Sequence, residues 1–246
     1  MDVERLAEGL HEHTDGVAKA VAGADPGAAV PTCPEWSLKV LIGHIGQAQR
    51  WAASTIRSGP SPVPDPFDAD PGDPGDWSGW LHAGATDLIE AVSAAEGPVW
   101  TFFGPGPATF WLRRMLHDAT IHHADAALAT GTDFAVAPDL ATDAITEWLE
   151  ILSNPITPTL KPGLIALRGT GQTLQVRPDA GPGWLITRSP DGIHWARATE
   201  PADATLAGPV ADLLLVLTRR QSPDTLTLTL TGDRDLVDHW LANTAA

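Results

Sequence analysis

The sequence predicts an up-and-down four-helix bundle followed by a small α+β domain that begins near residue 160. Three observations predict it. Up to about residue 153, apolar side chains recur at helical spacing in blocks separated by Gly- and Pro-rich breaks. Prolines then gather at Pro155, Pro158 and Pro162. Beyond them the pattern changes to short runs of period two between turn signals. The expected domains are therefore 1–155 and 160–246.

Each element has its own signal. Residues 3–22 alternate apolar and charged groups at helical spacing and stop at Gly23. Pro31 to Ser37 reads as a turn, with Ser37 as an N-cap for a helix from about Leu38 to Arg57. Gly59 to Asp76 is dense in Pro, Gly and Asp; a loop of that length is expected to be a functional lid or a mobile insertion. A third helix is expected from Trp77 to Ala95. After the aromatic run Val99-Trp-Thr-Phe-Phe103 and the breaker Gly104-Pro-Gly-Pro107, a fourth runs from Thr109 to Ala129. A further helix, Leu140 to Ser153, follows Pro138. In the second domain, Leu164–Arg168, Thr173–Arg177, Trp184–Arg188, His194–Arg197 and Ala204–Ala207 read as strands. A helix from Pro209 to Arg219 comes next, then the strictly alternating strand Thr225–Thr231 and a closing helix from Asp233.

The chain has 246 residues, 43% of them hydrophobic and 19% charged, enough apolar material for real cores. With 31 acidic against 15 basic residues the net charge is −16, which argues against binding nucleic acid or an anionic membrane surface. The single cysteine, Cys33, allows no intrachain disulfide and sits in a turn as a structural residue. The acidic N-terminus lacks the features of a signal peptide and no apolar run is long enough to span a bilayer, so a cytoplasmic protein is expected. The Ala-, Pro-, Gly- and Trp-rich composition with few Lys suggests a high-GC genome. No Ser-His-Asp signature, phosphate-binding glycine loop or Cys-rich zinc motif is present.

The most informative pair is Asp118 and His122, on the fourth helix. Residues four apart share one helix face, so a carboxylate and an imidazole here can reach one divalent cation. A third ligand must come from elsewhere, and His44, a polar residue in the apolar stretch Val-Leu-Ile-Gly-His44-Ile-Gly, is the best candidate. Two His and one carboxylate form a ligand set that leaves coordination positions open. The bland alternatives are a core histidine bonded to a carbonyl and an ion pair on an exposed helix face.

Three passages resemble the mycothiol-dependent maleylpyruvate isomerase family, whose N-terminal part belongs to the DinB-like metal-binding bundles. They are Val30-Pro-Thr-Cys-Pro-Glu-Trp-Ser to His44-Ile-Gly with Arg50-Trp-Ala-Ala, Arg113-Arg-Met-Leu-His-Asp-Ala-Thr-Ile-His-His-Ala-Asp125, and Ala207 to Arg220 with Thr231-Gly-Asp233. The resemblance implies a DinB-like bundle, a sterol-carrier-like C-terminal domain, and a metal held by His44, Asp118 and His122. Asp118 stands where the family commonly has Glu, one methylene longer. Gln49 and His123 stand where many relatives carry His and Arg. The resemblance further implies a divalent metal, zinc foremost though Ni, Co, Mn or Fe suit the same donors, and mycothiol as thiol cosubstrate. The metal would activate the thiol for attack on a small electrophile, with Arg220 receiving a substrate carboxylate. The alternative from another class is a non-catalytic binding protein that retains the bundle.

Overall fold

The computed structural model describes residues 1–244. The chain forms two compact units, residues 1–134 and 135–246. The first holds four long helices: α1 (Val3–Ala20), α2 (Leu38–Ser58), α3 (Trp77–Ser93) and α4 (Thr109–Thr130). Asp2 caps α1 by accepting from the Arg5 amide, and Ser37 caps α2 through the Val40 amide, as its position predicts. Gly131 ends α4 in the left-handed conformation at φ 71°, the C-cap geometry glycine adopts without a Cβ penalty.

α1 packs on α4 and α2 on α3, and contacts of α2 with α4 and of α1 with α3 complete the ring. The helices thus stand in the order α1–α4–α2–α3, and the chain crosses the bundle diagonally between α1 and α2 and between α3 and α4. The long connections that allow this carry two small antiparallel hairpins, β1 (Ala29–Val30) with β2 (Cys33–Ser37) and β3 (Val99–Thr101) with β4 (Gly104–Gly106). Leu10, Val17, Leu38, Leu41, Ile42, Leu81, Trp111 and Leu112 are fully buried in this unit.

The loop between α2 and α3 is held rather than hanging free. It contains a 3-10 turn, Pro66–Asp68, that packs on α2. Lys39 pairs with Asp70 at 3.0 Å, and the Trp77 indole donates to the Gly72 carbonyl at 3.3 Å. The α2–α3 contact depends on Gly46. A Cβ there would lie 2.2 Å from Trp80 Nε1, which donates to the Ile42 carbonyl while Arg50 stacks 3.8 Å over the Trp80 ring. Gly46→Ala gains about 1 kcal/mol of helix propensity. The overpacked Trp80 should outweigh that, leaving a net loss within the ~1–3 kcal/mol typical of such changes. Denaturant titration measures it; unchanged or higher stability would contradict this packing.

The second unit begins with α5 (Pro138–Ser153), earlier than the proline cluster suggests. The sequence grouped α5 with the bundle. In the structure it packs on α7 (Val210–Leu217) and β7 (Gly192–Ala198), and its buried Leu140, Ala144, Ile145 and Leu149 need that cover. The five-stranded sheet has the order β7–β6–β5–β8–β9, with β5 (Thr173–Pro178), β6 (Gly183–Ser189), β8 (Ala204–Gly208) and β9 (Thr229–Gly232). All neighbours are antiparallel except β5 and β8. A short helix α6 (Thr157–Leu160) follows α5, and α8 (Arg234–Asn243) ends the unit.

Two expected strands differ. Leu164–Arg168 lies mostly in a 3-10 helix, Pro162–Leu167, because Pro162 starts a turn and Leu164 and Leu167 share one buried side at a spacing of three. Of the alternating run 225–231, only the end pairs with β8; its first residues form a turn after Pro223. No helix among the described residues is long and apolar enough to cross a membrane.

Candidate metal centre

α2 and α4 are neighbours in the bundle, and this brings His44 opposite Asp118 and His122. One ligating atom from each of the three residues lies within 4.8 Å of the other two. Asp118 Oδ2 is 3.8 Å from His44 Nε2 and 3.8 Å from His122 Nε2. Metal–ligand bonds of about 2.0–2.1 Å in a tetrahedron place donors about 3.3 Å apart, so each Asp118–imidazole pair would close by roughly half an ångström around an ion. Asp118 Oδ2 thus stands equally far from the two imidazoles. Its other oxygen, Oδ1, lies 4.0 Å from Arg114 Nη2.

Burial prepares the imidazoles. The pKa of His44 is pushed down to about 4, chiefly by burial, with His122 adding and Asp118 opposing. It is neutral at physiological pH and has a lone pair to give. His122 is oriented by Asp125, one turn along α4: its Nδ1 donates to Asp125 Oδ2 at 2.9 Å, which leaves Nε2 turned toward Asp118. Asp125 is fully buried and its Oδ1 accepts from Thr32 Oγ1 at 2.5 Å. A carboxylate on the far nitrogen of a ligating histidine fixes its tautomer and raises its basicity. Trp36, from β2, covers the rings, 4.9 Å from His44 and 5.7 Å from His122.

A cavity of about 190 Å³ opens beside the cluster, with His44 and Asp118 in its wall. The donor set, the neutral imidazoles and the buried orienting carboxylate fit a divalent cation. Sequence reasoning missed the roles of Asp125 and Thr32, for which the one local signal was the i, i+3 spacing of His122 and Asp125; Trp36 is legible only as a residue flanking the candidate ligands in sequence.

The other residues singled out from the sequence lie elsewhere. His123 faces α1, where its Nδ1 is 3.1 Å from His13 Nδ1 and its ring packs on Phe134. Burial holds His13 at about 3 and His123 at about 4, so this pair is a neutral structural contact. Gln49 is buried in the bundle. Cys33 packs against the apolar cluster. Arg220 belongs to the second unit, in the turn that ends α7. Arg219 there adopts φ 61°, the Arg220 amide donates to the Leu215 carbonyl, and Arg220 Nη1 donates to the Thr218 carbonyl at 2.8 Å.

Two imidazoles and a carboxylate brought to one point by neighbouring helices of a bundle form a group that could hold a divalent cation. Residues 7–127 match the family described as the mycothiol maleylpyruvate isomerase N-terminal domain, and the N-terminal unit belongs to that family. The chain also shares its fold with the crystal structure of the mycothiol-dependent maleylpyruvate isomerase, at 15% identity and a TM-score of 0.62 over 94% of this chain and 93% of that one. A histidine-to-alanine mutant of that isomerase matches at 14% identity and a TM-score of 0.61 over the same shares. No curated protein is similar enough to match.

Proposed function

We propose that this protein is a metal- and thiol-dependent isomerase or thiol transferase, with mycothiol as its thiol and a small electrophile as its substrate. The observation that carries the reading is the convergence of His44, Asp118 and His122 from two helices, with His122 pre-oriented by buried Asp125. A divalent metal there, zinc foremost, would supply Lewis acidity that brings a thiol to its thiolate near neutral pH. The protein's part is to present two neutral nitrogens and one carboxylate. This set leaves net positive charge and open positions for an anionic sulfur.

In an isomerisation the thiolate adds to one carbon of a conjugated cis double bond and the electron pair moves onto the carbonyl oxygen. Rotation about the resulting single bond and expulsion of the thiolate give the trans product, with the thiol unchanged. In a transfer, the sulfur stays on the electrophile and the carbanion takes a proton. Trp36 packs against both imidazoles and would shield that side of them from water. Arg220 is our candidate for a substrate carboxylate, on its position in the sequence after α7.

Titration of mycothiol into the protein with and without zinc tests the reading. Thiol binding should be saturable and zinc-dependent. Asp118→Glu should retain or raise zinc affinity, because it recovers the longer reach common in the family. Failure of both the parent and Asp118→Glu to hold zinc or thiol would favour a non-catalytic binding protein.

A further inference from the structure

The three candidate ligands come from two helices, His44 from α2 and Asp118 and His122 from α4. Their convergence depends on how α2 is held against α4. The β1–β2 hairpin touches both helices. It runs directly into α2 at Ser37–Leu38, and the chain at its base is bound to the first turn of that helix. The Leu38 amide donates to the Ala28 carbonyl and the Lys39 amide to the Pro26 carbonyl, both at 3.0 Å. Val30 of the hairpin and Leu38 of α2 are fully buried in one apolar cluster with Ala126 of α4.

The turn of the hairpin reaches the ligands through α4. Val30 pairs with Cys33, so Pro31 and Thr32 form the turn between them. Thr32 Oγ1 donates to Asp125 Oδ1, and Asp125 Oδ2 accepts from His122 Nδ1. Asp125 is fully buried, whereas Thr32 is only half-buried. A carboxylate taken out of water needs such donors, and hydrogen bonds to an ionised group are roughly twice as strong as neutral ones. The same hairpin sets the Trp36 ring 4.9 Å from His44 and 5.7 Å from His122, one candidate ligand on each helix.

We propose that Thr32 is a positioning residue: through it the β1–β2 hairpin braces α2 against α4 and orients the metal centre, and a metal bound there in turn fastens the hairpin. The polar arm of the brace is Thr32–Asp125–His122. The apolar arm is Trp36 against His44 and His122. Coupling between two sites is reciprocal. Whatever factor a fastened hairpin adds to metal affinity, the metal adds to the population of the fastened hairpin. The inference rests on the proposed function for the metal alone; neither the thiol nor the electrophile enters it.

Cys33 supplies a reporter. It follows Thr32 in the hairpin, is half-buried, and is the only cysteine in the chain. Calorimetric titration of zinc, and the rate at which N-ethylmaleimide alkylates Cys33 with and without zinc, test the proposal on the parent, Thr32→Val and Thr32→Ser. Thr32→Val keeps the shape and removes the hydroxyl. It should weaken zinc roughly three- to tenfold, less than loss of a direct outer-shell partner, because Thr32 acts one hydrogen bond further out. Thr32→Ser restores the hydroxyl and should bind zinc as the parent does. Zinc should slow alkylation of the parent by the same factor that Thr32→Val costs in affinity, and should leave the Thr32→Val rate nearly unchanged. In His122→Ala zinc should not change the rate; protection there would mean that zinc binds the Cys33 thiol directly and would overturn the proposal. Parent-like zinc affinity in Thr32→Val would overturn it too, as would faster alkylation in that variant with the zinc effect retained, the mark of a merely structural threonine. A parent that holds no zinc would overturn the proposed function and this inference together. A parent that holds zinc without dependence on Thr32 would overturn this inference alone.

Discussion

His122→Ala should abolish stoichiometric zinc binding. The substitution removes one of three donors and leaves His44 and Asp118 on different helices with no second nitrogen to close the site. Outer-shell partners already change metal affinity by about 10–100-fold when removed, so loss of a direct donor should exceed about 100-fold. The fold should survive, because the apolar residues that join α4 to the bundle, Trp111, Leu112, Leu116 and Ala126, lie outside the ligand set and are fully buried. Metal analysis after dialysis reads the outcome. Parent-like zinc content in His122→Ala would place the metal elsewhere.

Asp125→Asn should weaken zinc by about tenfold, and Asp125→Ala by nearer 100-fold. The carboxylate accepts from both His122 Nδ1 and Thr32 Oγ1. Asparagine can still accept from one of them, but it lacks the charge that makes His122 a better donor. Alanine leaves the imidazole free to turn. A purely structural role for Asp125 would lower the melting temperature of the zinc-free protein without changing zinc affinity. The positioning role predicts the opposite: lower affinity with cooperative unfolding of the zinc-free protein retained. Rescue of zinc affinity by Asp125→Glu is not expected, since the longer side chain has no room in a fully buried position.

The candidate ligands were legible in the sequence because each rests on a simple rule. The i, i+4 spacing of Asp118 and His122 puts both on one helix face, and His44 breaks an apolar stretch. The helices themselves were legible from period and caps, as at Ser37 and Gly131. The supporting parts were not. Thr32 reaches Asp125 across 93 positions of chain, and Trp36 reaches His122 because β1 and β2 fold over the bundle. No local pattern encodes such contacts. The placement of α5 failed for a related reason: its apolar stripe shows that it is covered but not by what, and here the cover is α7 and β7. At Leu164 and at 225–231, short apolar runs fit strand and turn equally well until their partners are known.

The central claim is that His44, Asp118 and His122 hold a divalent metal that accepts an external thiol. Cobalt(II) in place of zinc tests it most directly, because its visible spectrum reports ligand geometry and its near-ultraviolet spectrum reports sulfur bonding. The account predicts one equivalent of cobalt with a low-symmetry visible spectrum, then a new sulfur-to-cobalt charge-transfer band when mycothiol is added, with both signals lost in His122→Ala. A cobalt spectrum that does not change on adding mycothiol, or no bound cobalt at all, would contradict it.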